Sequence, residues 1–196
     1  MKIGVLALQG AVAEHIRSIE STGATGVVVK RPEQLDDIQG LIIPGGESTT
    51  IGKLMRTYGF IEAIFNFASA GKPLFGTCAG LIVLAKRITG ADEPHLGLLD
   101  ITVTRNAFGR QRESFEVDLE MKNWDRPVRA VFIRAPLIEQ VDASVEVLAT
   151  YRSGMVAVRQ GHLLGASFHP ELTDDNSMHE YFLQMVKESA ASVGSR

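Results

Sequence analysis

From Lys2 to Lys86 the chain alternates short apolar runs with stretches whose apolar residues recur three and four positions apart, and few folds accommodate that pattern. Lys2 to Leu8 is a β-rich run, after which Val12, Ile16 and Ile19 share a helical face until Gly23. Val27 to Lys30 and Leu41 to Ile43 read as two more strands. The second ends at Pro44-Gly45-Gly46, where glycine permits a sharp turn. Ser48 or Thr49 is the expected cap of a helix on which Ile51, Leu54, Met55 and Tyr58 form one apolar face. Phe60 to Ala70 continues as a second helix closed by Gly71, Pro73 to Thr77 is a buried strand, and Leu81 to Lys86 begins a helix directly after Cys78. Strands each followed by a helix build a parallel sheet covered on both faces.

The second half carries strands with few helices between them: Ile101 to Arg105, Phe115 to Glu120, Val128 to Ile133, Val145 to Thr150, Met155 to Arg159 and Leu163 to Phe168. These are expected to add antiparallel to the sheet. A last amphipathic helix bears Met178, Tyr181, Phe182 and Met185, and the small polar tail from Ser189 to Arg196 is expected to fray. The expected fold is α/β: a single domain over residues 1–196, with 1–188 as its folded core. A central, mostly parallel sheet is flanked by helices in three layers and carries an antiparallel extension. A chain of 196 residues, 45% of them hydrophobic, can build such a core.

Charge and cysteine content then narrow the chemistry. A net charge of −3 offers no basic field for a polyphosphate backbone, so nucleic acid is not expected as a partner. Runs such as Gly40 to Pro44 and Gly80 to Ala85 fall far short of the roughly 20 apolar residues of a membrane span, and no signal-length apolar core precedes a cleavage site. A cytoplasmic location is expected, with no membrane partner. One cysteine excludes an intramolecular disulfide, and five histidines without ligand spacing give no metal site. The lone thiol is either core filler or a nucleophile.

Its surroundings strengthen the case for the nucleophile, while a small buried cysteine in a glycine-rich turn stays open. Gly76-Thr77-Cys78-Ala79-Gly80 joins a buried strand to a helix, the layout of a nucleophile elbow, in which flanking glycines relieve the crowding of a tight turn. A helix start also presents unpaired N–H groups that suit an attacking sulfur. The second signal is Ser167-Phe168-His169-Pro170-Glu171. Pro170 biases His169 toward extended backbone, where residues two apart face one way, and a carboxylate beside an imidazole fixes its tautomer and stabilises its protonated form. Alone this could be a solvated loop; beside an elbow cysteine it completes a triad of Cys78, His169 and Glu171.

The third signal is Pro44-Gly45-Gly46-Glu47-Ser48, where an oxyanion could rest between the Gly46 turn and the amide of Ala79. A resemblance to a P-loop fails: five residues rather than four separate Gly46 from Gly52, and Leu54 follows Lys53 where a magnesium-binding hydroxyl is needed. Arg105 and Arg134, each at a strand end, could pair with a substrate carboxylate. His15, His95, His162 and His179 read as separate surface or helix residues.

With its glycine-flanked cysteine and late His-x-Glu, the chain resembles the class I, triad-type glutamine amidotransferases, a flavodoxin-like architecture. Within them it is most similar to the glutaminase subunits of pyridoxal 5′-phosphate synthase. Leu8-Gln9-Gly10, Pro44 to Thr50, Gly76 to Leu81, Arg105-Asn106, Phe108-Gly109-Arg110-Gln111, Phe132 to Pro136 and Phe168 to Leu172 carry that likeness. Leu81-Ile82 departs from the Gln or His of most triad amidotransferases and agrees with the vitamin-pathway branch. The resemblance implies that Cys78 attacks the glutamine side-chain amide, His169 serves as base and then acid, and Glu171 orients it, through a thioester and without a cofactor or metal. It implies that Gly46, Glu47, Ser48, Arg105, Ile133 and Arg134 bind glutamine. The implied partner is a ring-shaped synthase core that receives the ammonia, with low activity expected until the two dock. A cysteine peptidase, an ammonia supplier for another pathway and a flavodoxin-like binding module with an inert thiol are the alternatives.

Overall fold

A computed structural model describes residues 1–108 and 114–195. Strands β1 (Lys2–Leu6), β2 (Thr25–Val29), β3 (Gly40–Ile43) and β4 (Leu74–Thr77) lie parallel in the order β2-β1-β3-β4. Helix α1 (Val12–Ser21) links β1 to β2, while α2 (Ser48–Thr57) and α3 (Phe60–Ser69) carry the chain from β3 to β4. The strand–helix alternation thus yields the parallel sheet it implies. Helix α2 is capped by Glu47 rather than by Ser48 or Thr49: its longer carboxylate accepts the N–H of Thr49 at 3.0 Å and of Thr50 at 2.7 Å. A negative charge over a helix start is favourable, and the Thr50 hydroxyl, which donates to Glu47 Oε2 at 2.7 Å, does most to hold the Glu47 carboxyl down at about 2, with the backbone bonds adding to it.

Helix α4 (Ala79–Leu84) starts earlier and stops sooner than the apolar run suggests. The carbonyls of Val83 and Leu84 accept the N–H groups of Leu96 and Leu98, and Ala85 to Ile88 becomes β5 beside β6 (Leu99–Thr104). Strand pairing wins because it satisfies backbone groups that the end of a short helix leaves open.

Strands β7 (Ser114–Leu119) and β8 (Val128–Ile133) form a separate antiparallel pair. Then β9 (Leu137–Val141), β10 (Glu146–Tyr151), β11 (Gly154–Gln160) and β12 (Leu163–Ala166) complete the large sheet in the order β4-β12-β11-β9-β6-β5, with β10 against β11. Strand β9 was not expected, because its exposed polar positions Glu139 and Gln140 leave little apolar signal. Strand β12 corrects the antiparallel expectation. It pairs parallel with β4, Leu163 opposite Leu74 through Ala166 opposite Thr77, and every one of its residues is buried. A continuous apolar run is the mark of a strand covered on both faces, but chain order hides which neighbour it joins.

Two apolar layers sandwich the sheet. Leu41 and Ile43 face a cluster with Ile51, Met55, Phe60, Ile64 and Leu81 from α2, α3 and α4. Ile42, Leu164 and Ala166 face another with Ile19, Met178, Phe182 and Val186 from α1 and α5 (Ser177–Val193). Helix α5 continues past Ser189, whose hydroxyl donates to the Gly71 carbonyl at 2.6 Å. No described helix is long and apolar enough to cross a membrane. Of the motif stretches named above, Gly109 to Gln111 lie outside the described residues.

Candidate active site

Cys78 occupies the junction between β4 and α4 with φ 51° and ψ −109°, a conformation that L residues seldom adopt and that must be imposed by its surroundings. Its N–H donates to the Ala166 carbonyl at 2.9 Å, and its own carbonyl accepts the N–H of Leu81 at 3.1 Å. The flanking glycines supply room. A Cβ on Gly76 would stand 2.5 Å from the Gly80 carbonyl oxygen, and one on Gly80 would overlap the Ile43 carbonyl of β3. The strained turn is therefore wedged against the neighbouring strand, with the thiol directed at the Ile133 carbonyl at 3.8 Å.

The bond from Cys78 to Ala166 also joins the elbow to the end of β12, and His169 stands three residues beyond that end. Its N–H donates to the Val131 carbonyl at 2.8 Å, and Pro170–Leu172 then forms a single 3-10 turn. The turn, rather than extended backbone, brings Glu171 to His169: Nδ1 lies 2.6 Å from Oε1. A Cβ on Gly45 would lie 2.8 Å from His169 Cε1 and 3.4 Å from Cys78 Cβ, so ring and thiol flank the same glycine. Burial opposes charge on the His169 ring. The bond to Cys78 and then the Glu171 carboxylate outweigh it and raise His169 to about 10, so the ring carries a proton at neutral pH.

A cleft of about 410 Å³ opens above these groups. Gly46, Glu47, Ser48, Cys78, Ala79, Arg105, Ile133, Arg134 and His169 all line it, and of the residues singled out in the sequence only Glu171 lies behind the wall. The size suits a small metabolite. Arg105 reaches Thr49 Oγ1 at 3.4 Å across the mouth, and the Gln9 side-chain oxygen accepts the Glu47 N–H at 2.6 Å, tying the Gly46 turn to the loop after β1. Ile82, Asn106 and Pro136 complete the lining. Asn106 (φ 48°) and Arg134 (φ 44°) share positive φ with Cys78, so three such residues meet in one cleft. Asparagine tolerates that conformation; nothing in the sequence marks the arginine.

Two histidines expected to lie apart are instead together and buried beneath the triad. His15 Nδ1 stands 2.9 Å from His179 Nε2, and His15 Nε2 stands 3.4 Å from Glu171 Oε2 and 3.3 Å from Thr77 Oγ1. Histidines on the first and last helices, 164 positions apart, meet only because both helices cover the same face of the sheet. His95 packs beside Gly52 of α2.

The signature of the SNO glutamine amidotransferase family matches residues 5–188. The pyridoxal 5′-phosphate synthase subunit PdxT of Niallia circulans is 72% identical over 189 residues, covering 96% of this chain and all of the relative. That of Geobacillus sp. strain WCH70 is 66% identical over 191 residues, 97% of this chain and all of the relative. A solved structure described as a glutamine amidotransferase superposes with a TM-score of 0.90 at 49% identity, covering 94% of this chain and 98% of the other.

Proposed function

Because the chain belongs to the SNO glutamine amidotransferase family, we infer that it hydrolyses L-glutamine to L-glutamate and ammonia and supplies that ammonia for pyridoxal 5′-phosphate synthesis. The observation that carries the chemistry is the meeting of the Cys78 thiol and the His169 ring in one cleft, with the Glu171 carboxylate bonded to that ring from behind.

The sulfur of Cys78 attacks the side-chain amide carbon of glutamine, and a C–S bond forms as the carbonyl oxygen takes up charge. The amide N–H groups of Gly46 and Ala79 are the candidate donors to that oxygen; removing one such donor typically costs about 10²–10³-fold in turnover. His169 holds the proton that came from the thiol and delivers it to the departing nitrogen, so ammonia leaves and a thioester remains. Water then attacks the thioester while the ring takes its proton, glutamate departs, and the thiol is restored. Glu171 keeps the imidazole oriented and offsets its positive charge throughout. Glu47, Ser48, Arg105, Ile133 and Arg134 are proposed to grip glutamine, the arginine forks facing its α-carboxylate.

The proposed partner is the synthase subunit, arranged as a ring whose outside this chain decorates and whose docking raises a low resting turnover. Steady-state glutamate formation with and without that subunit tests the coupling, and equal rates would defeat it. A diazo-ketone analogue of glutamine tests the chemistry: it is expected to label Cys78 stoichiometrically, and failure to label in the docked complex would remove the assignment.

A further inference from the structure

We propose that His15 is a positioning residue of this glutaminase: its Nε2–H holds the rear oxygen of Glu171, extending the triad through a buried chain of rings to His179. The inference rests on the glutaminase reading above and concerns what keeps its carboxylate in place.

The Glu171 side chain is wholly excluded from water. A carboxylate in that position needs donors for both oxygens, since each unpaired lone pair forfeits its hydration. Oε1 meets His169 Nδ1; Oε2 has no hydrogen-bond partner of ordinary geometry among the described residues, and His15 Nε2 stands 3.4 Å from it.

The proton positions follow from counting donors and acceptors. Burial holds both rings neutral: it pushes His179 down to about 4, and it lowers His15 well below its ordinary value, helped by the neighbouring His179 and His169. Each ring therefore carries one N–H. If the His15 proton is on Nε2, that N–H faces Glu171 Oε2 and Thr77 Oγ1, and Nδ1 accepts from His179 Nε2–H. Only the His179 Nδ1 lone pair is then left over, as its lack of any partner requires. In the opposite arrangement a bare His15 nitrogen faces a carboxylate and a buried His179 N–H has no acceptor. An orphaned buried donor is the costlier defect, so the first arrangement prevails. His15 thereby joins Thr77, the residue before the nucleophile, to the carboxylate behind the base.

The test uses the chain in complex with its synthase subunit. His15→Phe keeps the ring volume and deletes the donor; His15→Gln keeps an N–H near the Nε2 position and an acceptor for His179. The expected result is a kcat about 10–100-fold lower for His15→Phe, the order of loss seen when an outer partner of a metal-ligating side chain is removed. KM for glutamine should stay within about twofold, and His15→Gln should recover most of the loss. Unchanged kcat in folded His15→Phe, or His15→Gln no better than His15→Phe, would overturn the proposal. Should His15→Phe not fold, ¹⁵N imidazole shifts of the unaltered chain decide: protonated Nε2 on both His15 and His179 supports it, and protonated Nδ1 on His15 overturns it. Absence of glutaminase activity in the unaltered complex would defeat the function instead, and the ring shifts would still report on His15.

Discussion

The two halves of the catalytic centre are held by different forces. The elbow at Cys78 is a backbone device: an unfavourable φ is maintained because Gly76, Gly80 and the Ile43 carbonyl pack too closely for any side chain. The turn at His169 is a side-chain device, in which an ordinary 3-10 turn presents a ring to a carboxylate buried against α1. Local sequence can encode the first. In the second it encodes only the ring and its carboxylate; what stands behind that carboxylate comes from a helix at the far end of the chain, which is why glycines announce the elbow while nothing near Glu171 announces His15.

Substitutions should separate the two devices. The largest effect belongs to the nucleophile: Cys78→Ala is expected to lower turnover on the order of 10⁶-fold, measured as glutamate release, with the thermal midpoint little changed. Next is Glu171→Gln, which leaves the turn but removes the charge behind the ring. A loss of about 10⁴-fold in kcat is expected, as for the third member of other triads. A comparable loss of stability without loss of kcat would make the turn a structural device like the elbow. Gly80→Ala should do the reverse. A methyl driven at the Ile43 carbonyl should cost roughly 1–3 kcal/mol or more by overpacking, read from denaturant melts, and drag activity down by displacing the thiol. The smallest effect on stability is expected from Glu47→Ala, which uncaps α2 at about 1 kcal/mol.

The pH response provides a further contrast. His169 is raised in the folded chain to about 10 from an ordinary 6.5. The stabilisation from its proton is thus complete below pH 6.5 and is lost as pH rises toward 10. Glu47 is depressed from 4.5 to about 2, so its stabilisation is present above pH 4.5 and is lost as pH falls toward 2. Melts of Glu47→Ala and the unaltered chain should therefore converge at the acid end and diverge at neutral pH. Turnover should decline as pH climbs through about 10, where the ring no longer holds a proton for the departing nitrogen. A decline centred near pH 6.5 would show that Cys78 and Glu171 do not hold that proton in place.

The candidate site residues named from the sequence come together in space: all of them but Glu171 line a single cleft. The strain at Arg134 was not legible, because a positive φ at such a residue is imposed by contacts rather than preferred by the residue. The cap at Glu47 was missed for a similar reason: a hydroxyl is the commoner cap, and only the geometry of the turn lets a glutamate reach back.

By itself the sequence determined the alternation of strand and helix, the glycine-flanked thiol and the pairing of His169 with Glu171. Each of these rests on interactions between residues close along the chain, where spacing and side-chain type suffice. Tertiary structure alone decided that β12 slots beside β4, which sets the Cys78 N–H on the Ala166 carbonyl and brings the ring to the thiol. It also decided that His15 and His179 lie together beneath the carboxylate. Such meetings depend on which buried surfaces pack best once the whole sheet has formed, and sequence separation carries no record of that choice.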